Sequence, residues 1–259
     1  MKIKDNAGFG MMMSKRMRIA GITYYMRNGQ VVGRPSSTHE KRSNTLRQFV
    51  QRQKMRHTTA LWKMLHFGCN QLMFTERRTV YQNFASLANS LPAVYVVDNG
   101  RMNQASFLMP GIPVSDGTLP AVTLELGEVD GVPALITDLK PFEMVKINSN
   151  VMFMDRRERL WFYTAVQTLE SEFMPRVRFS MREIKRSEMT LVDGHYVLKG
   201  EEFADEMKGW AIVRVVGDNC SSQTIVTRCT LYQQYTTQEA LERAADSYGG
   251  LTDTPYLRP

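Results

Sequence analysis

The spacing of apolar residues changes character along the chain, and each change predicts a different element. Met17 to Arg34 reads MRIAGITYYMRNGQVVGR, an alternating run interrupted by Asn28-Gly29. That pair accepts positive φ at both centres of a type I′ turn, so the run predicts a β-hairpin. A two-residue loop fixes its register, setting Arg27 opposite Gln30, Met26 opposite Val31, Tyr25 opposite Val32 and Thr23 opposite Arg34. Ile22, Tyr24 and Met26 fall on one face, Thr23, Tyr25 and Arg27 on the other. A two-stranded ribbon that is apolar or aromatic on both faces needs something to pack on: its own helix, a neighbouring subunit or a ligand.

After Pro35-Ser36 the period becomes helical. Leu46, Phe49, Val50, Gln53, His57, Ala60, Leu61 and Met64 gather on one side at about 100° per residue, which predicts a long helix with a core-facing stripe. Ser37 with Glu40 offers a capping box, and Ser43 an N-cap nearer the apolar run; the helix is expected to start at Ser43 and stop at Gly68. The opposite side holds Gln48, Gln51, Met55, Thr59 and Trp62. Arg47 and Lys54 border that strip on one edge, and Arg52, Arg56 and Lys63 on the other. Two arrangements of Trp62 fit the spacing, an exposed ring between basic rows or a ring packed beneath the hairpin with Arg stems over it.

Val80, Tyr81, Phe84, Leu87 and Ala88 predict a second helix within Arg77–Asn89, antiparallel to the first. From Ala93 short β-type runs follow at roughly ten-residue intervals: AVYVV, SFLM, AVTLEL, VPALITDL, VRFSMREI, HYVLKG, WAIVRVV and QTIVTR, with Gly, Pro, Asp and Asn between them. RLWFYTAVQTL (Arg159–Leu169) is compatible with strand or helix. Thr236 with Glu239 predicts a last helix ending near Tyr248, followed by an extended tail. The expected class is α+β: an N-terminal β-hairpin and two helices, then an antiparallel β-sandwich or barrel-like body and a C-terminal helix. The expected division is a basic head over 1–90, a β-rich body over 91–235, and a helix with tail over 236–259.

Charge adds what the pattern does not. Residues 1–78 contain sixteen Lys and Arg against three acids, a balance of +13, which leaves −6 for the rest of a chain whose formal charge is +7. Clustered cations build a local field, so the expected partner is a polyanion, with RNA or DNA foremost. The candidate nucleic-acid-binding residues are Lys15, Arg16, Arg18, Arg27, Arg34, Lys41, Arg42, Arg47, Arg52, Lys54, Arg56, Trp62 and Lys63. The alternative is a structural subunit of a multi-protein assembly, such as a phage particle or an appendage, using hairpin and tail for homo-oligomer or larger contacts.

Enzyme signatures are weak. No Gly-rich phosphate loop ending in Lys-Ser/Thr is present. His57, His66 and Cys69 lack a fourth ligand for zinc, and His57 lies on the apolar stripe. Ser221 or Ser222 with His195 is the best nucleophile arrangement available, yet serines are frequent in turns for backbone reasons. No cofactor is expected. Cys69, Cys220 and Cys229 have no paired spacing and read as thiols, and no apolar run reaches the length of a membrane span; both point to a cytoplasmic protein.

Gly21, Tyr24, Asn28-Gly29 and Val31 in the hairpin, Arg47, Gln51, Arg52 and Lys54 on the helix, SDGTLPAV (Ser115–Val122) and the pairing of GWAIVRVV with SSQTIVTRC together carry a likeness. On these residues the chain resembles an uncharacterised bacterial family with a basic hairpin-helix head and a β-rich body. The resemblance implies a β-sandwich body and transfers no catalytic residue.

Overall fold

The computed structural model describes residues 2–3, 17–19, 22–27, 30–35, 44–68, 79–98, 104–141, 144–147, 150–153, 158–169 and 175–252. The fold is α+β, with an N-terminal hairpin, helices, a strand-rich body in several antiparallel sheets, and a C-terminal helix. The chain divides into two compact units, residues 1–44 with 252–259, and residues 45–251. The long helix therefore belongs to the same unit as the strands.

In the first unit β1 (Lys2–Ile3), β2 (Met17–Ile19), β3 (Ile22–Arg27) and β4 (Gln30–Pro35) form an antiparallel sheet ordered β1-β4-β3-β2. The β3–β4 register is the one the two-residue turn requires, with Arg27 opposite Gln30 and Thr23 opposite Arg34. Two further strands flank the hairpin, so part of the packing it needs is supplied by its own sheet. Gly33 sits opposite Tyr24, whose ring lies about 3.0 Å from where a Cβ at Gly33 would be. The aromatic covers the glycine, and any side chain there would displace it. Asn44 closes the unit through a two-way bond, its amide donating to Thr252 Oγ1 (2.7 Å) and its carbonyl accepting from Thr252 N (3.0 Å).

The second unit is layered about a central sheet. Its strands are β5 (Pro113–Ser115), β6 (Leu124–Val129), β7 (Val132–Thr137), β8 (Met144–Ile147), β9 (Asn150–Phe153), β10 (Arg159–Leu169), β11 (Pro175–Ile184), β12 (Thr190–Val192), β13 (His195–Lys199), β14 (Lys208–Val216), β15 (Asn219–Cys220), β16 (Gln223–Thr224) and β17 (Val226–Thr227). The central sheet runs β11-β10-β14-β15, with β17 also paired to β14; a second sheet runs β12-β13-β7-β6. The ambiguous run Arg159–Leu169 is thus a strand, paired along its length to β11 and over most of it to β14.

Alternation along these strands builds two cores. Tyr163 and Ala165 of β10 with Ala211, Val213 and Val215 of β14 face one core; Leu160 and Phe162 with Trp210 and Ile212 face the other. Period-2 geometry sends successive side chains to opposite faces, and here both faces are covered, which is why β14 is apolar from Trp210 to Val213 and again at Val215–Val216, with buried Arg214 between. On the first side lie helices α1 (Leu46–Gly68) and α2 (Val80–Ala88) and the segment 91–114; on the second lie Leu135 and Leu198 of the other sheet, with Leu139 and Phe203. α3 (Gln238–Ser247) packs Leu241, Ala244 and Ala245 against Phe49 of α1.

Helix limits follow their caps. α1 begins at Leu46, where Thr45 Oγ1 accepts from Gln48 N (3.4 Å) and the Thr45 carbonyl from Phe49 N (2.9 Å), so Thr45 does the work expected of Ser43, which lies outside the described residues. Thr79 and Gln82 form the capping box of α2; Thr237 caps α3 through Ala240 N. The expected stripe of α1 is buried at Phe49, Gln53, His57, Ala60 and Leu61, joined by Thr58 and Leu65, while Leu46 is 50% exposed at the helix start.

AVYVV and SFLM are extended but form no strand. Their amides are satisfied from elsewhere: Tyr95 N by Tyr235 O (2.7 Å), Val96 N by Gln53 Oε1 (3.5 Å), Phe107 N by His57 Nε2 (3.0 Å) and Leu108 N by Gln167 Oε1 (2.7 Å). Gln53 and His57, in α1's buried stripe, meet donors that a sheet neighbour would otherwise meet. SDGTLPAV packs onto the chain beginning at Cys220: Ser115 Oγ donates to Ser221 O (2.6 Å), Gly117 N donates to Ser222 Oγ (3.0 Å), and Leu119 bridges Ser221 in parallel. Gly117 allows this approach, because a Cβ there would stand 1.9 Å from the Cys220 carbonyl oxygen.

Candidate nucleic-acid interface

Arg52, Arg56, Thr59 and Lys63 stand at i, i+4, i+7 and i+11 on α1, the spacing that stacks side chains along one helical stripe. That stripe forms one wall of a cleft of about 580 Å³ in the second unit. Gln51, Gln53 and Met55 line it from α1 as well, with Phe49, Ala60 and Met64. The other wall comes from far along the chain: Gln104, Arg176 at the start of β11, and Tyr248 just after α3. Arg52 to Lys63 covers eleven steps of helix, about 16 Å at 1.5 Å per residue. Four cations therefore surround the cleft, and among the described residues lining it none is acidic.

The cations are held in different ways. Arg52 and Lys63 are solvent-exposed at the rim. Arg56 lies over the Tyr248 ring, with its guanidinium carbon 4.2 Å from the ring centroid, a cation–π contact that fixes both groups. Its Nη1 is shut off from solvent and has no acceptor among the described residues. Burial lowers the Arg56 pKa and attraction to Asp98 opposes that, but a guanidinium stays protonated under any ordinary condition. Arg176 donates from Nη2 to Gln104 Oε1 (3.1 Å), which aims the guanidinium along the wall. Phe49 is buried, stacked on Tyr95 with centroids 6.4 Å apart and tilted against Tyr248 at 5.9 Å. The floor is thus apolar and aromatic, and the rim is cationic.

The other predicted residues fall elsewhere. Arg47 is exposed on α1 outside the cleft lining, and Lys54 turns away to donate to the Asn89 carbonyl (3.2 Å). Trp62 is half-buried against α2, with Tyr81 at 6.0 Å and Phe84 at 5.3 Å. Arg34 lies over Tyr25 at 5.7 Å in the N-terminal sheet. Arg18 and Arg27 sit in β2 and β3, their side chains outside what is described; Lys15, Arg16, Lys41 and Arg42 lie outside the described residues. Arg176, Gln104 and Tyr248 were missed by sequence, and no local signal marks them.

No known protein family matches the chain, and neither a curated protein nor a solved structure does. Function therefore rests on the site alone.

The groups weighed for catalysis have structural tasks. Ser221 is fully buried and its hydroxyl accepts from Arg214 N (3.0 Å); Ser222 Oγ donates to the Asp116 carboxylate (3.2 Å) and the Gly117 carbonyl (3.0 Å). His195 Nδ1 lies 3.1 Å from the Asp193 carbonyl. Burial pushes the Cys220 and Cys229 thiols up, away from nucleophilic thiolate. Among the described residues no cluster of His, Cys, Asp and Glu could hold a metal, and no helix is long and apolar enough to cross a membrane.

Glu158 forms a separate buried charge cluster with Arg186 and with Arg214, whose Nε lies 3.4 Å from its Oε1; the Glu158 and Arg214 side chains are each 1% exposed. Arg186 also donates to the Lys140 carbonyl (2.6 Å) and covers the Tyr196 ring. These two arginines are held by a carboxylate within the fold.

Proposed function

We propose that the protein is a non-enzymatic nucleic-acid-binding protein that grips its ligand along the basic stripe of α1. The observation that carries the reading is the convergence of Arg52, Arg56, Lys63 and Arg176 on one cleft without a lining carboxylate. Arg176, 113 residues beyond Lys63 in the chain, joins the α1 stripe at the cleft and concentrates a field that a solvated helix face alone does not make. Phosphates of the ligand meet this positive field, and the binding is electrostatic and backbone-directed. Residues 1–44 add nine Lys and Arg against two acids to the chain's balance of charge.

Titrating the full chain with a fluorescent oligonucleotide at several salt concentrations tests this. Four phosphate contacts give a slope of log affinity against log salt near about −3 on a single strand, at about −0.7 per contact. A slope near zero refutes the reading.

A second reading has its own observation. β1 and β2 are the edges of the N-terminal sheet and carry no further strand among the described residues, which suits strand addition between copies in a larger assembly. A defined, salt-indifferent oligomer by mass measurement, with no oligonucleotide binding, would favour it.

A further inference from the structure

We infer that the cleft is a pocket for a nucleobase, so that the nucleic acid this protein takes is single-stranded; the inference rests on the nucleic-acid reading above. The basic rim alone would suit any polyanion. What discriminates is the floor. Phe49, Ala60, Met64 and the Tyr248 ring make the bottom of a concave site of about 580 Å³ apolar, within the range of pockets that enclose a small ring-bearing group. A duplex presents ridges of phosphate to a helix and keeps its bases stacked inside, so it would engage Arg52 and Lys63 and leave the floor wet. A base is the only apolar part of a polynucleotide, and only a single strand exposes it without paying for unstacking.

Two details of the walls fit such an occupant. The Arg56 guanidinium is held over the Tyr248 ring, its central carbon 4.2 Å from the centroid, and a guanidinium plane is a surface on which bases stack. Gln51 is exposed at the cleft with both a donor and an acceptor on its amide, while Gln53 and Gln104 spend their Oε1 atoms on Val96 N and Arg176, so a single amide faces a base edge, which tolerates different bases instead of selecting one. The expected ligand is accordingly single-stranded DNA or RNA with little sequence preference, its phosphates on the rim cations and one base in the cleft.

The test uses the full chain and three fluorescent probes at about 50 mM salt: a mixed-sequence dodecamer, a hairpin duplex with the same number of phosphates, and a dodecamer of abasic sites. The single strand is expected to bind between about 5- and 150-fold tighter than the abasic strand, the range that base stacking on a side chain provides, and tighter than the duplex. Equal affinity for all three overturns the pocket while leaving electrostatic binding intact. Absence of binding to any of them overturns the nucleic-acid reading itself. Ala60→Met, which narrows the cleft without altering charge, is expected to bring affinity for the ordinary strand down to that for the abasic one; an unchanged preference in a folded variant overturns the inference. Should that variant not fold, the probe comparison on the unaltered chain decides alone.

Discussion

The imidazole of His57 is a buried pH-sensitive pin, and its contribution to stability can be worked out. It lies on the inner face of α1, where its Nε2 accepts from the Phe107 amide at 3.0 Å. Burial lowers its pKa from 6.5 to about 4. Protonation would also replace that acceptor with an N–H pointing at another N–H. The depressed folded-state value means that the unfolded chain takes up the proton first. Stability from this group is therefore complete above about pH 7 and is lost as pH falls from about 6.5 toward about 4. At about 1.4 kcal/mol per pH unit the full loss is about 3 kcal/mol, of which about 2 is gone by pH 5. For a chain of this length that corresponds to a fall in Tm of about 4–8 °C between pH 7 and pH 5. Thermal unfolding should be followed in parallel with His57→Gln, which keeps an acceptor oxygen but does not titrate. The variant is expected to be less stable at pH 7 and to lose most of the pH dependence in this window. Identical slopes for the two proteins would refute the assignment of the pin to His57.

Other expectations follow from the same geometry. Arg176→Glu and Arg52→Glu each place a carboxylate in an otherwise acid-free cleft, and each should weaken oligonucleotide binding by about tenfold or more at low salt and flatten the salt slope; Arg182→Glu, outside the cleft, should not, and equal effects at all three positions would count against a localised site. Glu158→Gln leaves the Arg214 guanidinium in the core without its counter-charge, so it should cost about 3–5 kcal/mol in chemical denaturation, and a loss under about 1 would show that the pair is not closed in solution. Gly209→Val should destabilise by about 1–3 kcal/mol or more, because a Cβ there would already lie 2.7 Å from Ile225 Cγ2; a neutral result would mean β14 and the 225–227 segment can separate freely.

Local chemistry made much of the fold legible. Asn28-Gly29 fixed the hairpin and its register, and the capping residues and the helical stripe located α1 to within a few positions. What stayed hidden was long-range. AVYVV and SFLM have strand composition, yet their backbone donors are met by Gln53, His57 and Gln167, and no local pattern reveals which donor a distant side chain will meet. Trp62 shows the same limit on a helix: periodicity gave its angle about the axis of α1, but α2 covers a side that the period marked as outer. The cleft divides in the same way. Arg52, Arg56 and Lys63 could be grouped from spacing, whereas Arg176, Gln104 and Tyr248 reach the site only because β11, the segment before 105 and α3 close around α1.

Three cations of α1 and Arg176 of β11 are proposed to hold a nucleic acid. The most direct measurement is the affinity of the full chain for a single-stranded oligonucleotide between about 50 and 200 mM salt, beside a variant carrying Arg52→Gln, Arg56→Gln, Lys63→Gln and Arg176→Gln. Affinity is expected to fall steeply with salt, and the slope to be reduced by about 3 in the quadruple variant. Undetectable binding at the lowest salt, or a slope the four substitutions leave unchanged, would contradict that proposal.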